Sequence, residues 1–325
     1  MNQISLKHIL SLLAEEMTLL DEQLKEVLTS DHAFLMRLHE RFLSLPGKRL
    51  RPALLFLCAK MLHYQGRRHI KYATVFELIH TATLIHDDVI DEAETRRGVR
   101  TLNQEENNAL TILFGDLLYT KANTLAISGG SLEVMDLISS VTEEMIEGEI
   151  LQDKLTYVMD ISEEDYFNIL TRKTAFLFGA TAKAAAMTAN CSAEECEALY
   201  QYGFNLGISF QLVDDLLDYT GDEFQMGKPV LSDLQAGKMT LPVIRFLRDH
   251  REDVKPLIEK IWNEKNSQAL NQLALDIKKS ASYAETMKMS EEHANKAISY
   301  LDPFPENTYK DILKAIPLFM LNRKQ

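Results

Sequence analysis

The sequence predicts an all-α protein, a single large domain over residues 1–325 in which about a dozen helices surround a central cavity. Three observations carry this. Apolar residues recur at three- and four-residue spacing through most of the chain. No segment alternates polar and apolar residues between hairpin turns, so no strand is expected. From about Ile70 onward, Val75, Phe76, Leu78, Ile79, Ala82, Leu84 and Ile85 make a stretch that is apolar on nearly every side. A helix of that kind is a buried one, around which others pack.

Taken in order, Leu6, Leu10, Leu13, Met17, Leu20 and Leu24 mark an amphipathic helix from about residue 3 to 28, suited to packing or dimerisation. Asp31 is placed to cap a second helix that stops near Leu45, before Pro46-Gly47. Pro52 suits the first turn of the next helix, where its missing N–H costs nothing. Lys48 and Arg51 therefore flank a helix start, a place that favours an anion, although the segment alone also reads as an exposed basic turn. The buried helix follows, then a polar loop over Glu92–Arg100. Further helices run from about Glu106 to Ser128, from a Ser131 cap to about Lys154, and from two capping-box-like pairs, Ser162 with Asp165 and Ser192 with Glu195. The last of these ends in Asp214–Asp218, with Gly221-Asp222 to stop it. A loop rich in Gly, Lys and Asp covers 223–239. Shorter helices then follow, separated at Asn266-Ser267, Ser280 and Pro303–Asn307.

Composition weighs against several partners. The formal charge of −13 and the lack of a Lys/Arg stripe argue against nucleic acid and give no pull toward anionic lipid, so membrane contact is at most peripheral. Cys58, Cys191 and Cys196 have neither zinc spacing nor a disulfide framework and suit a reducing cytosol. The N-terminus lacks a signal peptide's basic region and apolar core, and no apolar run is long enough to span a bilayer, so a cytoplasmic location is expected. The thirteen methionines read as core filler.

The chemistry concentrates where the buried helix ends, in Asp87, Asp88 and Asp91, followed at once by Arg96 and Arg97. Asp87 and Asp91, at i and i+4, share a face. Acids at the mouth of a buried helix repel one another and lose hydration unless a cation intervenes. Mg²⁺ suits them, because it takes one or two carboxylates, several waters and a substrate phosphate. Arginine grips phosphate with two bonds. An isolated stretch like this reads as a solvated helix end, but the pattern repeats at Asp214, Asp215 and Asp218, again after apolar residues. Two such clusters facing each other across a cavity could hold several metal ions on one diphosphate.

The motifs Asp87-Asp-Val-Ile-Asp91 and Asp214-Asp-Leu-Leu-Asp218 resemble the paired Asp-rich motifs of the trans-prenyl diphosphate synthases. The likeness extends to Gly47-Lys-Arg-Leu-Arg-Pro52, Glu77-Leu-Ile-His80, Arg96-Arg-Gly98, Gly148-Glu-Ile-Leu-Gln152, Lys173-Thr174, Gly227-Lys-Pro229 and Gly237-Lys-Met-Thr-Leu-Pro242. The resemblance implies the isoprenoid-synthase fold and the head-to-tail condensation of isopentenyl diphosphate onto an allylic primer such as farnesyl diphosphate. It implies Mg²⁺, about two or three ions per site. Asp87 and Asp91 would bind Mg²⁺ with Asp88 in support, and Asp214 another ion, with Asp215 and Asp218 as weaker or indirect ligands. Arg96, Lys173, Thr174, Gln211, Lys228 and Lys238 would contact the allylic substrate or its diphosphate. Lys48, Arg51, His80 and Arg97 would hold isopentenyl diphosphate. A lone histidine on an apolar helix is usually a core residue, yet His80 lies seven positions before Asp87 and so on nearly the same face. His86 does not, and reads as structural. No side chain stands out as the final base, a role left to the released diphosphate.

In the family, bulky aromatics at the fourth and fifth positions before the first Asp close the product pocket early. Those positions here are the small Thr83 and Ala82, and Ile138 is the expected floor, so the resemblance implies a product of about C30 to C40, a quinone side-chain precursor, made by a homodimer. One departure is Leu231, where many relatives carry glycine, which is expected to alter the loop over the diphosphate. A terpene cyclase or head-to-head synthase would leave Lys48, Arg51 and Arg97 unexplained. A silent regulatory subunit would be expected to lose the carboxylates kept here.

Overall fold

The computed structural model describes residues 6–44, 47, 49–96, 98–219 and 230–322. Lys48, Arg97, Lys228, Gly221-Asp222 and the Gly227-Lys-Pro229 motif lie outside these. The elements are α1 (Leu6–Leu12), α2 (Ala14–Val27), α3 (Ala33–Ser44), α4 (Leu50–Met61), α5 (Arg68–Ile90), β1 (Thr95–Arg96), β2 (Val99–Arg100), α6 (Leu102–Glu105), α7 (Asn108–Ser128), α8 (Leu132–Leu155) and α9 (Glu163–Leu170). A π-helical turn, Thr171–Ala175, leads into α10 (Phe176–Thr188). Then come α11 (Ala193–Leu217), α12 (Ser232–Gln235), α13 (Leu241–Asp249), α14 (Arg251–Glu264), α15 (Ser267–Lys278), α16 (Ala281–Ser299) and α17 (Thr308–Leu321). The expected all-α class is borne out, with more and shorter helices than a dozen.

Three local readings change. The first helix breaks at Leu13, between α1 and α2. The second is capped from His32 rather than Asp31: the His32 N–H donates to Ser30 Oγ at 3.3 Å, and His32 Nδ1 accepts the Phe34 N–H at 3.3 Å. The polar loop after α5 contains a two-residue antiparallel ladder, Thr95 opposite Arg100 and Arg96 opposite Val99, with Gly98 at φ +76°. Ladders this short carry no alternation for a sequence to show. The remaining caps follow the sequence. Ser131 Oγ takes the Val134 N–H at 3.2 Å, Ser162 and Asp165 form a reciprocal capping box, and Ser280 and Asn266 cap their helices.

The chain forms two compact units. The first holds Met1–Thr142, Ala180–Tyr200 and Leu301–Ala315, and its axis is α5. Tyr72, Ala73, Val75, Phe76, Leu78 and Ile79 are sealed from solvent, and α5 packs against α7, α4 and α2. Polar joints fix these helices where greasy contact alone would let them slide. Lys121 Nζ donates to the Val27 carbonyl at 2.6 Å, Lys60 pairs with Glu16 at 2.5 Å, and Arg49 Nη1 pairs with Glu77 Oε1 at 2.9 Å. The second unit holds Glu143–Gly179, Gln201–Tyr300 and Ile316–Gln325. Its core joins Leu170, Ile208, Leu212, Leu241, Leu247, Ile258 and Leu273. Arg245 grips both carboxylate oxygens of Glu163 at 3.1 and 2.7 Å, tying α13 to α9.

Candidate active site

In the first unit the site is the C-terminal end of α5. Asp91 is the C-cap, Glu92 follows at φ +49°, and the Ala93 N–H reaches back to the Asp88 carbonyl at 2.9 Å. This is a Schellman-type stop with glutamate where glycine is usual. It places Asp87, Asp88 and Asp91 at the negative pole of a 23-residue helix, where carboxylates are least welcome and a cation most. The three acids divide their work. Asp88 is buried and takes Arg96 Nε at 2.6 Å across the small hairpin, so it holds Arg96 beside the helix end. Asp87 is half-buried and Asp91 exposed. His80 is half-buried two turns back along the helix, with Thr83 Oγ1 donating to its carbonyl. His86 turns to α7, where Nε2 lies 3.1 Å from the Ile112 carbonyl oxygen and 3.4 Å from Asp116 Oδ1, a structural pairing.

Arg51 sits half-buried in the first turn of α4, just after Arg49, which adopts a left-handed φ of +48° at the N-cap. Arg49 is anchored on buried Glu77, so the basic turn is fastened to α5. Glu77 stands in a quoted motif, yet nothing in the sequence pairs it with Arg49.

In the second unit the acids at the C-terminal end of α11 diverge more sharply, Asp218 lying just past its last residue. Asp214 is exposed, whereas Asp215 and Asp218 are buried and hydrogen-bonded on both oxygens. Asp215 Oδ2 accepts the Tyr166 hydroxyl at 2.5 Å and Oδ1 accepts the Gln211 amide at 2.9 Å; Gln211 Oε1 in turn accepts the Thr174 hydroxyl at 3.0 Å. Burial, then the charge of Asp233, pushes the Asp215 carboxyl well above its usual range. Asp218 accepts the Ser232 N–H and hydroxyl on Oδ1 at 3.1 and 2.9 Å and the Asp233 N–H on Oδ2 at 3.2 Å. Burial and Asp233 raise it to about 6. Asp218 thus caps α12, whose far end receives the Lys238 N–H on the Asp233 carbonyl at 2.8 Å. Trp262 Nε1 closes on the Leu234 carbonyl at 2.8 Å, fixing the same turn.

Lys173 and Thr174 lie in the π-helical turn, a distortion found at functional sites. Two glycines make room for it. A Cβ on Gly148 would meet Arg172 Cβ at 2.7 Å, and one on Gly207 would meet Ala175 Cα at 2.7 Å. Glu149 holds Lys173 in an ion pair, and Arg172 is paired with Glu144 and Glu147. Neither the turn nor these pairings has a sequence signal beyond the glycine of the quoted Gly148 motif.

Leu231 explains its own departure. It sits at φ +53°, ψ +39°, the left-handed region where glycine is at ease, and is only 1% exposed. Its N–H donates to the Asp218 carbonyl at 2.9 Å. The conformation costs about 1–2 kcal/mol, offset by burial of a leucine, roughly 1.5–3 kcal/mol. The usual order of substitutions should therefore reverse. Leu231→Ala loses packing and keeps the strain, whereas Leu231→Gly loses packing and sheds it. The glycine variant should unfold later in a thermal melt, by about 1 kcal/mol; an alanine variant that is the more stable would refute the strain.

The polyprenyl synthetase family model matches residues 32–277. The chain belongs to the polyprenyl synthetase family. It is 37% identical over 321 residues to the octaprenyl diphosphate synthase of Escherichia coli K12, covering 98% of this chain and 99% of that one. It is 32% identical to heptaprenyl diphosphate synthase component 2 of Geobacillus stearothermophilus, covering 98% and 99%. Among solved structures it is similar to a decaprenyl diphosphate synthase from Rhodobacter capsulatus (30% identity, TM-score 0.91, covering 98% and 99%). It is also similar to a polyprenyl synthase from Caulobacter crescentus complexed with calcium and isoprenyl diphosphate (29% identity, TM-score 0.93, covering both chains fully). The family and the fold expected from the motifs are thereby borne out. This polyprenyl synthetase is a prenyl-transferring enzyme of the long-chain type. Among its described residues no helix is long and apolar enough to cross a membrane.

Proposed function

We propose that the enzyme condenses isopentenyl diphosphate head to tail onto an allylic diphosphate such as farnesyl diphosphate, giving a product of about C30 to C40 for a quinone side chain. The observation that carries this is α5: buried from Tyr72 to Ile79, small at Ala82 and Thr83, and ending in acids at its negative pole.

The donor set fits a hard divalent cation, since the candidates Asp87, Asp91 and Asp214 offer only oxygen. Among the described residues no group of three His, Cys, Asp or Glu could hold an ion alone. That suits Mg²⁺, which fills its other positions with water and substrate phosphate. When bound, such ions neutralise the diphosphate as the allylic C–O bond ionises. Arg96, fixed by Asp88, and Lys173, fixed by Glu149, supply positive charge for the same leaving group, together with Lys228 and Lys238. Thr174 and Gln211 line the allylic side. Lys48, Arg51, His80 and Arg97 hold isopentenyl diphosphate, with the first turn of α4 offering N–H groups to its phosphates. The released diphosphate accepts the final proton.

We read the 325 residues as one functional domain, since the chain passes between the two units within α8, α10, α11 and α17. A homodimer is supported by α7, which leaves Ile112, Leu113 and Ile127 exposed on one side, the last two at 66% and 65%. Three unpaired cysteines fit a reducing cytoplasm.

The test is to incubate the purified chain alone with Mg²⁺, labelled isopentenyl diphosphate and primers of different length, size it by gel filtration, and chromatograph the products. Prenyl products that lengthen by isoprene units support the reading. A chain that turns over only after a second polypeptide is added refutes the homodimer, and one with no transfer at all refutes the function. Within this assay, Arg51→Ala, Lys48→Ala or Arg97→Ala should each raise KM for isopentenyl diphosphate more than for the primer, since each lost charged contact costs roughly 1.5–3 kcal/mol. Equal effects on both substrates would mean the two sites are wrongly divided.

A further inference from the structure

We propose that Tyr166 is a positioning residue for prenyl transfer, orienting the Gln211 amide and the Thr174 hydroxyl through the Asp215 carboxylate. The inference rests on the reading of Thr174 and Gln211 as lining the allylic substrate. No motif quoted from the sequence contains Tyr166, and it touches neither Thr174 nor Gln211 through any hydrogen bond of its own.

The bonds run in one order from Tyr166 to Thr174, and Asp215 accepts from both of its neighbours, one on each oxygen. Tyr166 spends its single hydroxyl proton on Asp215 Oδ2 at 2.5 Å. Gln211 must then turn its NH₂ to Oδ1, at 2.9 Å, which leaves its carbonyl oxygen facing Thr174. Thr174 in turn donates its only hydroxyl proton to that carbonyl, at 3.0 Å. The consequence lies at the end of the series. Thr174 Oγ1 has no proton left to offer and presents lone pairs only. Lone pairs favour a neighbouring allylic cation, whereas a diphosphate oxygen calls for a donor.

Tyr166 is what makes Asp215 a fixed base for this order. Its ring is buried against Phe167, near the start of the capping-boxed α9, and its hydroxyl occupies the carboxylate oxygen remote from Gln211. Without it, Oδ2 becomes a second place for the Gln211 amide to bond. The carboxylate can then rotate, and the amide can flip and offer N–H to Thr174, which reverses the hydroxyl. Rotational freedom of this kind slows the reacting step without weakening the grip on either diphosphate.

The experiment is a double-mutant cycle on the full chain with Mg²⁺, primer and isopentenyl diphosphate. Tyr166→Phe keeps the ring and its packing and removes one proton. Alone it should lower kcat about tenfold while changing either KM by less than about twofold. It should leave the Mg²⁺ concentration for half-maximal rate unchanged, because Asp215 is not acting as a metal ligand. In a Gln211→Met background it should cost nothing further, because the group it orients is gone. The same loss of kcat in both backgrounds overturns the proposal, as does a shifted Mg²⁺ requirement or a lowered Tm with kcat intact. If Tyr166→Phe does not fold, Asp215→Asn combined with Gln211→Met reads the same coupling and decides by the same criterion. An active wild-type chain that is indifferent to Tyr166→Phe refutes this proposal alone. A wild-type chain that transfers no prenyl group refutes the functional reading and this proposal together.

Discussion

Asp87→Asn and Asp214→Asn are each expected to cut turnover by about a hundredfold or more, the cost of removing a principal charge-stabilising group. The size follows from where the charge sits. Asp87 and Asp91 share a face at the C-terminal pole of α5, where the backbone carbonyls are already negative, so a divalent cation bound there would gain from carboxylates and helix pole together. Asparagine keeps the shape and one oxygen but removes the charge. The neighbours supply the control. Asp88 is occupied by Arg96 and Asp218 by Ser232 and Asp233, so substitutions there act through an arginine and through the α12 turn. Asp218→Asn keeps one acceptor for Ser232 and replaces the other with a donor facing the Asp233 N–H. It should lower Tm and impair the turn that carries Lys238 while leaving the Mg²⁺ requirement near that of the wild type. Turnover measured against Mg²⁺ concentration separates the two classes: ligand variants move the half-maximal Mg²⁺ upward, anchor variants do not. Chelator should abolish activity and Mg²⁺ restore it, and full turnover in excess chelator would rule out the metal.

The helices and their starts were legible because they are local. Capping residues and apolar spacing act within a few positions, so Ser131, Ser162 and Ser192 could be read directly. The acidic motifs were legible for a similar reason, since i and i+4 fix a shared face wherever the helix goes. What each acid does was not. The three aspartates at the end of α11 look alike in sequence, and they separate only when Tyr166, 49 positions from Asp215, and Ser232, 14 positions from Asp218, meet two of them. The π-helical turn at Thr171–Ala175 is hidden for another reason. It is accommodated by close packing at Gly148 and Gly207, on two other helices, and its own residues include no glycine or proline to mark it. Leu231 was visible as an oddity but not as a cause, because a left-handed leucine is tolerated only where a core receives its side chain.

Product length should respond to α5 and α8. A growing chain that starts at Asp87 and runs toward the N-terminus of α5 passes Thr83 and Ala82 within about 7.5 Å. Ala82→Phe should shorten the product toward about C15–C20, as a ring placed at that depth closes the path. Ala82 is only 3% exposed, so the ring must also displace packed neighbours, an overpacking cost of about 1–3 kcal/mol. Thr83 is half-buried and four positions from Asp87, on the same face, so Thr83→Phe enters the same path at less cost to the core. Farther along, Ile138 is fully buried in the same unit, with Val134 and Val141 one turn to either side. Ile138→Ala should lengthen the product by one or more isoprene units, at a stability cost of about 2–5 kcal/mol for the cavity it opens. Chromatography of the hydrolysed products reads all three variants, and thermal melts show whether each has folded. If both aromatic variants fold and turn over yet leave product length unchanged, the chain does not follow α5, and the assignment of Ala82, Thr83 and Ile138 falls with it.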